Sequence, residues 1–209
     1  MTPTEIFLAL EKEVNFDFET NPFWWEGYGT FWIIAGAILT QNAKWQGVER
    51  SLENLKNAGV KELQDLASIP PQTLAELVKP SGFYNTKAKR LHSLCNAILQ
   101  EFGSFEQFRQ NAQREWLLAQ KGVGFESCDA ILCYACKRDI VVIDAYTNKI
   151  LASLGFEFES YDEASEWLSG FDEVELGARL GEKSREELSA RFHGLFVEFG
   201  KSKKRLKVK

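Results

Sequence analysis

The sequence lacks long apolar stretches and any sign of export. Its longest apolar run, Phe31 to Leu39, is about half of the ~20 residues that a membrane-spanning helix requires. The chain does not open with a basic segment followed by an apolar one, so a secretory signal is not indicated. Its four cysteines lack the spacing of a disulfide framework, which fits a reducing compartment. We therefore expect a cytoplasmic protein without membrane attachment.

Positive charge and histidine are also scarce. The net charge of −5 argues against a simple polyanion binder, because such proteins usually carry excess positive charge. Basic residues nevertheless concentrate in residues 79–90 and 201–209, where no acid occurs, so a local basic face is compatible with the acidic total. His92 and His193 are too isolated in the sequence for a metal site or a triad, and we expect them at the surface or in helix packing.

What the chain does have is apolar residues at helical spacing along most of its length. The first predicted helix begins with a capping-box pattern at Thr4. The run "IVVID" is β-like, and "SGFDEVELGARLGEKSREE" is typical of a surface connection that could contain one helix. The fold class is therefore all-α. The predicted helices are 4–13, 30–42, 45–58, 61–67, 71–79, 86–102, 104–111, 113–120, 125–136, 145–154 and 186–200.

The stretch "EWLLAQKGVGFESCDAIL" joins two predicted helices through Lys121, Gly122, Val123 and Gly124. Glycine lets a backbone come close to a ligand, and the N–H groups at a helix N-terminus favour an anion. With the charge of Lys121 added, a phosphate of nucleic acid is the natural partner. The alternative is an ordinary helix–helix turn with a glycine cap.

A second candidate is Asp144, which follows four apolar residues in "IVVIDAY" and precedes the next predicted helix. A carboxylate at a helix N-terminus is well placed to stay ionised and to point into a cleft. The alternative is a plain aspartate N-cap, which is a common feature of helices.

These segments together resemble the helix-hairpin-helix signature of the DNA glycosylase superfamily typified by endonuclease III. The signature is carried by "QKGVGFESCDAILCYACKRDIVVIDAYTNKIL", by "GAILTQN" at 36–42, and by "VKPSGFYNTKAKRL" at 78–91, in the family's order. The resemblance implies two helical lobes with a DNA-binding cleft between them. One lobe would span residues 30–140, and residues 1–29 with 141–209 would form the other.

The resemblance also implies chemistry. Asp144 matches the family's catalytic aspartate, which stabilises positive charge as it develops on the sugar. The strand-cleaving members carry a lysine two residues after the second hairpin glycine, whereas this chain has Glu126 there. We therefore expect a monofunctional glycosylase that leaves an abasic site. Glu126 could position water or DNA, or it could simply be an acid favoured by the helix N-terminus.

Iron–sulfur relatives place their cluster cysteines beyond the catalytic acid, and no cysteine follows Cys136 here, so we expect no cluster. Cys128, Cys133 and Cys136 have a ferredoxin-like spacing. On a helix their sulfurs would fan apart, so we interpret them as core thiols without a metal. A monovalent cation at the hairpin backbone is compatible with this family.

For DNA contacts, the resemblance singles out Gln41 and Asn42, which end the buried helix and could fill the gap left by an extruded nucleotide. Phe83 could wedge from the facing loop, with core packing as the alternative. Lys87, Lys89 and Arg90 are expected to contact backbone phosphates rather than to read bases. The expected partner is double-stranded DNA containing damaged bases, bound by a monomer.

The substrate is suggested by tryptophan. Trp24 and Trp25 are adjacent, and Trp45 lies on an element that the resemblance places near the cleft. Aromatic faces stack on a flipped base and bind a cationic ring more strongly. We expect Trp25 and Trp45 to stack on the base, with Trp24 beside them or packed behind. The pattern resembles the small bacterial 3-methyladenine DNA glycosylases of the endonuclease III class, although Glu26 departs from a purely aromatic pocket.

Two other functions are weighed against this one. Removal of oxidised or mismatched pyrimidines is weakened by the missing lysine, which the oxidised-pyrimidine enzymes generally use. A non-catalytic helix-hairpin-helix DNA-binding protein is disfavoured by Asp144, because a phosphate binder does not need an acid in its cleft.

Overall fold

The computed structural model describes residues 1–202 and 204–206, and these residues form thirteen α-helices, one 3-10 turn and one π turn, without a β-strand. The all-α prediction is confirmed. None of the helices in this part of the chain is long and apolar enough to cross a membrane. The basic tail was predicted over 201–209, and its residues 203 and 207–209 lie outside the described residues.

The chain divides into two compact units. The terminal unit joins residues 1–26 to residues 138–209, and the central unit consists of residues 27–137. The sequence analysis had set these limits at residues 30 and 140.

The central unit is built around α2, whose residues from Ile33 to Leu39 are all buried. Such a uniformly apolar helix belongs inside a core, and α2 packs against α3, α6, α9 and the π turn. The helices of this unit are α2 (Trp32–Leu39), α3 (Trp45–Asn57), α4 (Leu63–Ser68), α5 (Pro71–Leu77), the 3-10 turn (Lys79–Ser81), α6 (Tyr84–Phe102), α7 (Phe105–Asn111), α8 (Arg114–Leu118), α9 (Phe125–Ala130) and the π turn (Ile131–Ala135).

The terminal unit has a core of aromatic and aliphatic side chains from both ends of the chain. Phe7 packs against Phe192, with ring centroids 4.9 Å apart, so that α1 is joined to α13. The helices of this unit are α1 (Pro3–Glu13), α10 (Ala145–Ser153), α11 (Tyr161–Ser169), α12 (Glu173–Leu180) and α13 (Arg185–Lys201).

Two local predictions were wrong, and the run predicted to be β-like is extended but belongs to no sheet. The capping box of α1 is formed by Thr2 with Glu5, while Thr4 is buried and accepts a hydrogen bond from the backbone N–H of Asp172. Helix α2 ends at Leu39, so residues 40–42 form a turn. The "IVVID" run is extended without forming a sheet, because side chains of α11 satisfy its backbone: Ser165 donates to the Val141 carbonyl and the Tyr161 hydroxyl accepts from the Ile143 N–H.

Candidate active site

Asp144 is the N-cap of α10, and its side chain is held rigidly. Its Oδ1 accepts hydrogen bonds from the backbone N–H of Thr147 at 2.7 Å and from the Thr147 hydroxyl at 2.8 Å. Both bonds use the same oxygen, so Oδ2 lies outside the cap. The capping role and the catalytic role are therefore compatible, because one oxygen anchors the carboxylate while the other is available for chemistry.

The Oδ2 atom of Asp144 faces His193, which the sequence analysis did not connect with it. His193 lies on α13, is 4% exposed, and places Nε2 4.0 Å from Asp144 Oδ2. Burial lowers the pKa of His193, and the charge of Asp144 opposes that shift. The lowered pKa makes His193 harder to protonate than an exposed histidine. His193 packs within a helix, as expected, but no sequence spacing indicated its contact with Asp144.

Trp24 completes the group on the other side of His193. The two rings meet edge to face, with centroids 5.4 Å apart. The Trp24 indole N–H donates to Glu198 Oε1 at 2.9 Å. Gly194 makes room for the ring, because a β-carbon at that position would collide with Trp24. Asp144, Thr147, His193 and Trp24, here called the carboxylate cluster, thus form one continuous set of contacts within the terminal unit.

The structure reverses the predicted order of the paired tryptophans. Trp25 is only 8% exposed, so it offers little ring face to a base, whereas Trp24 is partly exposed. The two rings contact edge to face at 5.9 Å. Trp24 is therefore the better placed of the pair for stacking, and Trp25 packs beside it. In the central unit, Trp45 begins α3 and is 38% exposed.

In the turn after α2, Gln41 and Asn42 differ sharply. The Gln41 amide donates to the Gly122 carbonyl and to Ser127 Oγ, both at 2.9 Å, and accepts from Arg90 at 2.8 Å. It therefore ties this turn to the hairpin and reaches DNA only by giving up those bonds. Asn42 is exposed and has a left-handed backbone with φ of 50°.

Phe83 precedes α6 and projects from the surface. It is 73% exposed and its φ is 47°, so the core-packing alternative does not hold. Its exposure fits the wedge role predicted for it, because a large apolar side chain that projects into water can be buried by a ligand.

Lys87 does not occupy the surface position expected of a phosphate contact. It is 2% exposed, and its ammonium donates to the Leu39 carbonyl and to the Ser81 carbonyl, each at 2.7 Å. Burial lowers its pKa to about 8. The phosphate-contact prediction for Lys87 is therefore wrong. The side chain points into the protein, where its ammonium binds two backbone carbonyls instead of a phosphate.

The hairpin has a buried side and an exposed side. Gly122 has φ of 88°, and a β-carbon there would collide with Arg90. Val123 is buried, so it could meet a ligand only through its backbone. Lys121 and Gly124 are exposed, and a β-carbon on Gly124 would meet nothing within 4 Å. The open side at Gly124 is thus the one that a phosphate could approach.

The two helices of the hairpin are joined by an ion pair between the partly exposed Arg114 and the buried Asp129. Arg114 at the start of α8 donates through Nε to Asp129 Oδ1 at 2.7 Å and through Nη2 to Oδ2 at 3.2 Å. Because Asp129 on α9 is fully buried, this two-pronged contact holds the hairpin in one geometry.

Glu126 and the cysteines bear on cofactors and nucleophiles. Glu126 is exposed in the first turn of α9. All four cysteines are buried, and Cys128, Cys133 and Cys136 are thus in the core as predicted. Burial raises the pKa of Cys128 to about 12, which disfavours the thiolate that a metal needs. Among the residues described, no group of three or more His, Cys, Asp or Glu is arranged to hold a metal ion.

Backbone strain marks the same positions. Within residues 1–202 and 204–206, the non-glycine residues with positive φ are Trp24, Asn42, Phe83 and Lys137. Each such conformation costs on the order of 1–3 kcal/mol and persists only where the surroundings hold it. Three of the four are residues that the sequence analysis had chosen as candidates for base or DNA contact.

The chain is similar to known DNA repair proteins. The family model described as "HhH-GPD superfamily base excision DNA repair protein" matches residues 35–170. The crystal structure of H. pylori 3-methyladenine DNA glycosylase (MagIII) bound to 1,N6-ethenoadenine has a TM-score of 0.91 and 45% identity, and the match covers 99% of this chain and 100% of that one.

Two curated relatives are more distant. The Methanocaldococcus jannaschii protein MJ1434, provisionally named a DNA repair glycosylase, is 37% identical over 161 residues, which is 74% of this chain and 73% of that protein. Endonuclease III of Thermotoga maritima is 25% identical over 183 residues, which is 88% of this chain and 75% of that protein.

Proposed function

The chain belongs to the HhH-GPD superfamily of base excision DNA repair proteins and is a DNA glycosylase, and from this premise we propose that it excises alkylated purines from double-stranded DNA. The preferred substrate in this proposal is 3-methyladenine. The product is an abasic site in an intact strand.

The observation that carries the proposal is the contact of one buried histidine with both Asp144 and Trp24. His193 lies 4.0 Å from the carboxylate and meets the indole ring at 5.4 Å. A group that stabilises a sugar cation and a ring that stacks on a base are thus held side by side in the terminal unit. The chemistry of base excision requires these two groups near the same nucleotide.

The reaction needs little from the protein besides electrostatics. A purine alkylated at N3 carries a formal positive charge while it is joined to deoxyribose. When the C1′–N9 bond breaks, its electron pair goes to the base, which leaves neutral, and the positive charge moves to the sugar. The Asp144 carboxylate stabilises that charge where it develops. Water then bonds to C1′ and releases a proton, which Asp144 can accept.

The aromatic residues supply selection for a charged base. Stacking on an aromatic side chain contributes about 1–3 kcal/mol per base, and a cationic ring adds about 0.5–2 kcal/mol through the ring quadrupole. We assign this role to Trp24 and Trp45, with Trp25 packed beside Trp24. The 45% identity to MagIII, a 3-methyladenine DNA glycosylase, supports the same substrate class.

We assign DNA contact to the exposed residues of the central unit. Asn42 and Phe83 occupy strained, exposed tips from which side chains can enter the base stack. Lys121 and the open backbone at Gly124 are the groups proposed to meet phosphate. Gln41 contributes in this proposal by holding the turn of Asn42 against the hairpin.

Strand cleavage is not part of the proposed activity. That reaction needs an amine to attack the sugar, and position 126 carries a carboxylate, which cannot form an imine. We also propose that the enzyme acts as a monomer and that its chemical step needs no iron–sulfur cluster, because Asp144 and a water molecule supply that step.

The test of this proposal is the state of the DNA strand after reaction. Alkylated duplex is incubated with the protein and separated by denaturing electrophoresis, with and without alkali. We expect breaks only after alkali. Nicks without alkali, or an enzyme–DNA adduct trapped by borohydride, would contradict the monofunctional assignment, and the absence of breaks in both lanes would contradict base excision itself.

A further inference from the structure

The buried ammonium of Lys87 joins two segments that are far apart in sequence. Its two acceptors are the carbonyl of Leu39, the last residue of α2, and the carbonyl of Ser81, the last residue of the 3-10 turn. Both distances are 2.7 Å, and the side chain is shielded from water. An ammonium has three donors, so a single lysine can satisfy both carbonyls at once.

Each acceptor lies at the base of a proposed DNA-contacting tip. Leu39 is followed by the turn that carries Asn42, and Ser81 is followed by Gly82 and then Phe83. Both tips have left-handed backbones, with φ of 50° at Asn42 and 47° at Phe83. Asparagine tolerates this conformation, whereas phenylalanine seldom adopts it, so the backbone of Phe83 in particular needs support from its surroundings. Lys87 supplies one such support to both tips.

The surroundings of Lys87 are equally rigid. The 3-10 turn approaches α3 so closely that a β-carbon on Gly47 would collide with the Pro80 carbonyl. The buried Ser51 hydroxyl donates to the carbonyls of Gly47 and Val78. One turn further along α6, Arg90 donates to Gln41, which in turn binds the hairpin. The Lys87 contacts are thus part of a buried polar framework beneath the exposed loops.

A charged group is suited to this position. The last carbonyls of a helix lack partners within the helix and carry partial negative charge, which a cation stabilises. Burial lowers the pKa of Lys87 to about 8, which still leaves most molecules with the ammonium form at neutral pH.

We propose that Lys87 is a positioning residue for base extrusion, which sets the spacing of the Asn42 and Phe83 tips by binding Leu39 O and Ser81 O together. The inference rests on the DNA-contact roles proposed above for those two tips. Lys87 itself does not touch DNA, so it acts through the loops that it joins.

The experiment compares two duplexes that differ in the cost of extrusion. Each contains one 3-methyladenine, placed opposite thymine in the first and opposite a missing base in the second. Extrusion is easier when the partner base is absent. Single-turnover base release is measured for wild type, Lys87→Met, Phe83→Ala and the matched control Lys89→Met, whose side chain is exposed on the same helix.

We expect Lys87→Met to slow release from the paired duplex at least tenfold more than from the duplex with the missing base. Phe83→Ala should show the same selectivity, and Lys89→Met should affect both duplexes equally. The salt dependence of DNA binding should not change in Lys87→Met, whereas removal of a phosphate contact would reduce the slope by about 1.

The outcomes separate this inference from the proposed function. Equal losses on both duplexes in Lys87→Met, while Phe83→Ala remains selective, would overturn the positioning role. A weaker salt dependence of DNA binding in Lys87→Met would indicate that Lys87 contacts a phosphate, and this would also overturn the positioning role. If Phe83→Ala is not selective, the proposed insertion role is wrong, and if wild type releases no base, the proposed substrate is wrong. Should Lys87→Met not fold, Lys87→Gln, which keeps one donor group, is measured against the same expectations.

Discussion

The molecule buries one titratable side chain in each of two functional regions, and the two have different neighbours. His193 lies next to the candidate catalyst in the carboxylate cluster, whereas Lys87 lies beneath the loops of the central unit that carry the candidate DNA contacts. His193 touches Asp144 and Trp24 directly. The Lys87 ammonium donates to backbone carbonyls of the segments that lead to Asn42 and Phe83. The first arrangement can shape the reaction, and the second can shape only the geometry from which the reaction starts.

This difference teaches how a charged residue in a motif should be interpreted. Lys87 belongs to the motif that indicates a DNA-binding protein, yet its ammonium binds carbonyl groups inside the protein. His193 belongs to no recognised motif, yet its Nε2 lies 4.0 Å from the carboxylate of the candidate catalyst. Position in a family signature therefore indicates where a residue matters, and burial and partners indicate how.

Removal of the Asp144 charge should have the largest effect. Asp144→Asn keeps the size of the side chain but loses the charge opposed to the sugar cation, so base release should fall by on the order of 10²–10³ or more. Binding to damaged duplex should persist. Single-turnover release and a binding titration, made on the same preparation, check both statements, and near-normal release would refute the catalytic role.

Substitution of the exposed tryptophans should give the next largest loss of excision rate, and substitution of the buried Trp25 should give a smaller one. Trp24→Ala and Trp45→Ala should each slow excision of 3-methyladenine by about 5- to 150-fold, the equivalent of 1–3 kcal/mol per lost stack. Phe at either position should recover more activity than Leu, because it restores a ring face. In contrast, Trp25→Phe should change melting temperature more than excision.

Rates of these variants are compared only where melting temperatures stay near wild type. Losses that follow stability, or equal recovery by Phe and Leu, would assign the rings to packing and leave the substrate open.

The two hairpin glycines should separate stability from DNA binding. Gly122→Ala places a side chain in the left-handed region at a cost of about 1–2 kcal/mol, which should lower the melting temperature by roughly 2–8 °C. Gly124→Ala meets no atom within 4 Å and has an extended backbone, so stability should be kept. Its DNA affinity should fall about tenfold, as for one lost hydrogen bond to a charged group.

The affinity loss of Gly124→Ala should be uniform across DNA sequences, because phosphate contacts carry no sequence information. A loss confined to certain sequences, or a loss of stability equal to that of Gly122→Ala, would count against the phosphate-binding role of this side of the hairpin.

His193 should give the smallest effect, visible in pH dependence. Burial lowers its pKa below the ordinary value of about 6.5. The unfolded chain therefore binds a proton on His193 more readily than the folded one, and stability is lost as pH falls below that ordinary value. The melting temperature of His193→Gln should fall less than that of wild type over this range.

The acid limb of base excision should also move to lower pH in His193→Gln, because protonated His193 would offset the Asp144 charge. Parallel melting and activity profiles of the two proteins test this, and coincident curves would show that His193 does not titrate beside Asp144.

Sequence reasoning succeeded where the information is local. Helical spacing predicted the all-α fold, and the hairpin at 121–124 followed by a helix from residue 125 lies where the pattern indicated it. Asp144 begins α10 as expected. Each of these features depends on residues within a few positions of one another.

It failed where the deciding partner is distant along the chain. Lys87 turns inward because the Leu39 carbonyl is there to receive it, and His193 is drawn into the site by Asp144 and Trp24. Adjacent tryptophans look alike in sequence, but the left-handed backbone of Trp24 and the burial of Trp25 distinguish them. Such choices are made by tertiary packing, which no local pattern contains.

The most direct test of the account is identification of the bases released from methylated DNA. Duplex DNA treated with a methylating agent is incubated with wild type and with Asp144→Asn, and the released bases are separated by chromatography. The account predicts 3-methyladenine as the main product of wild type and none above background from Asp144→Asn. Release of no alkylated purine by wild type, or the same release by both proteins, would contradict it.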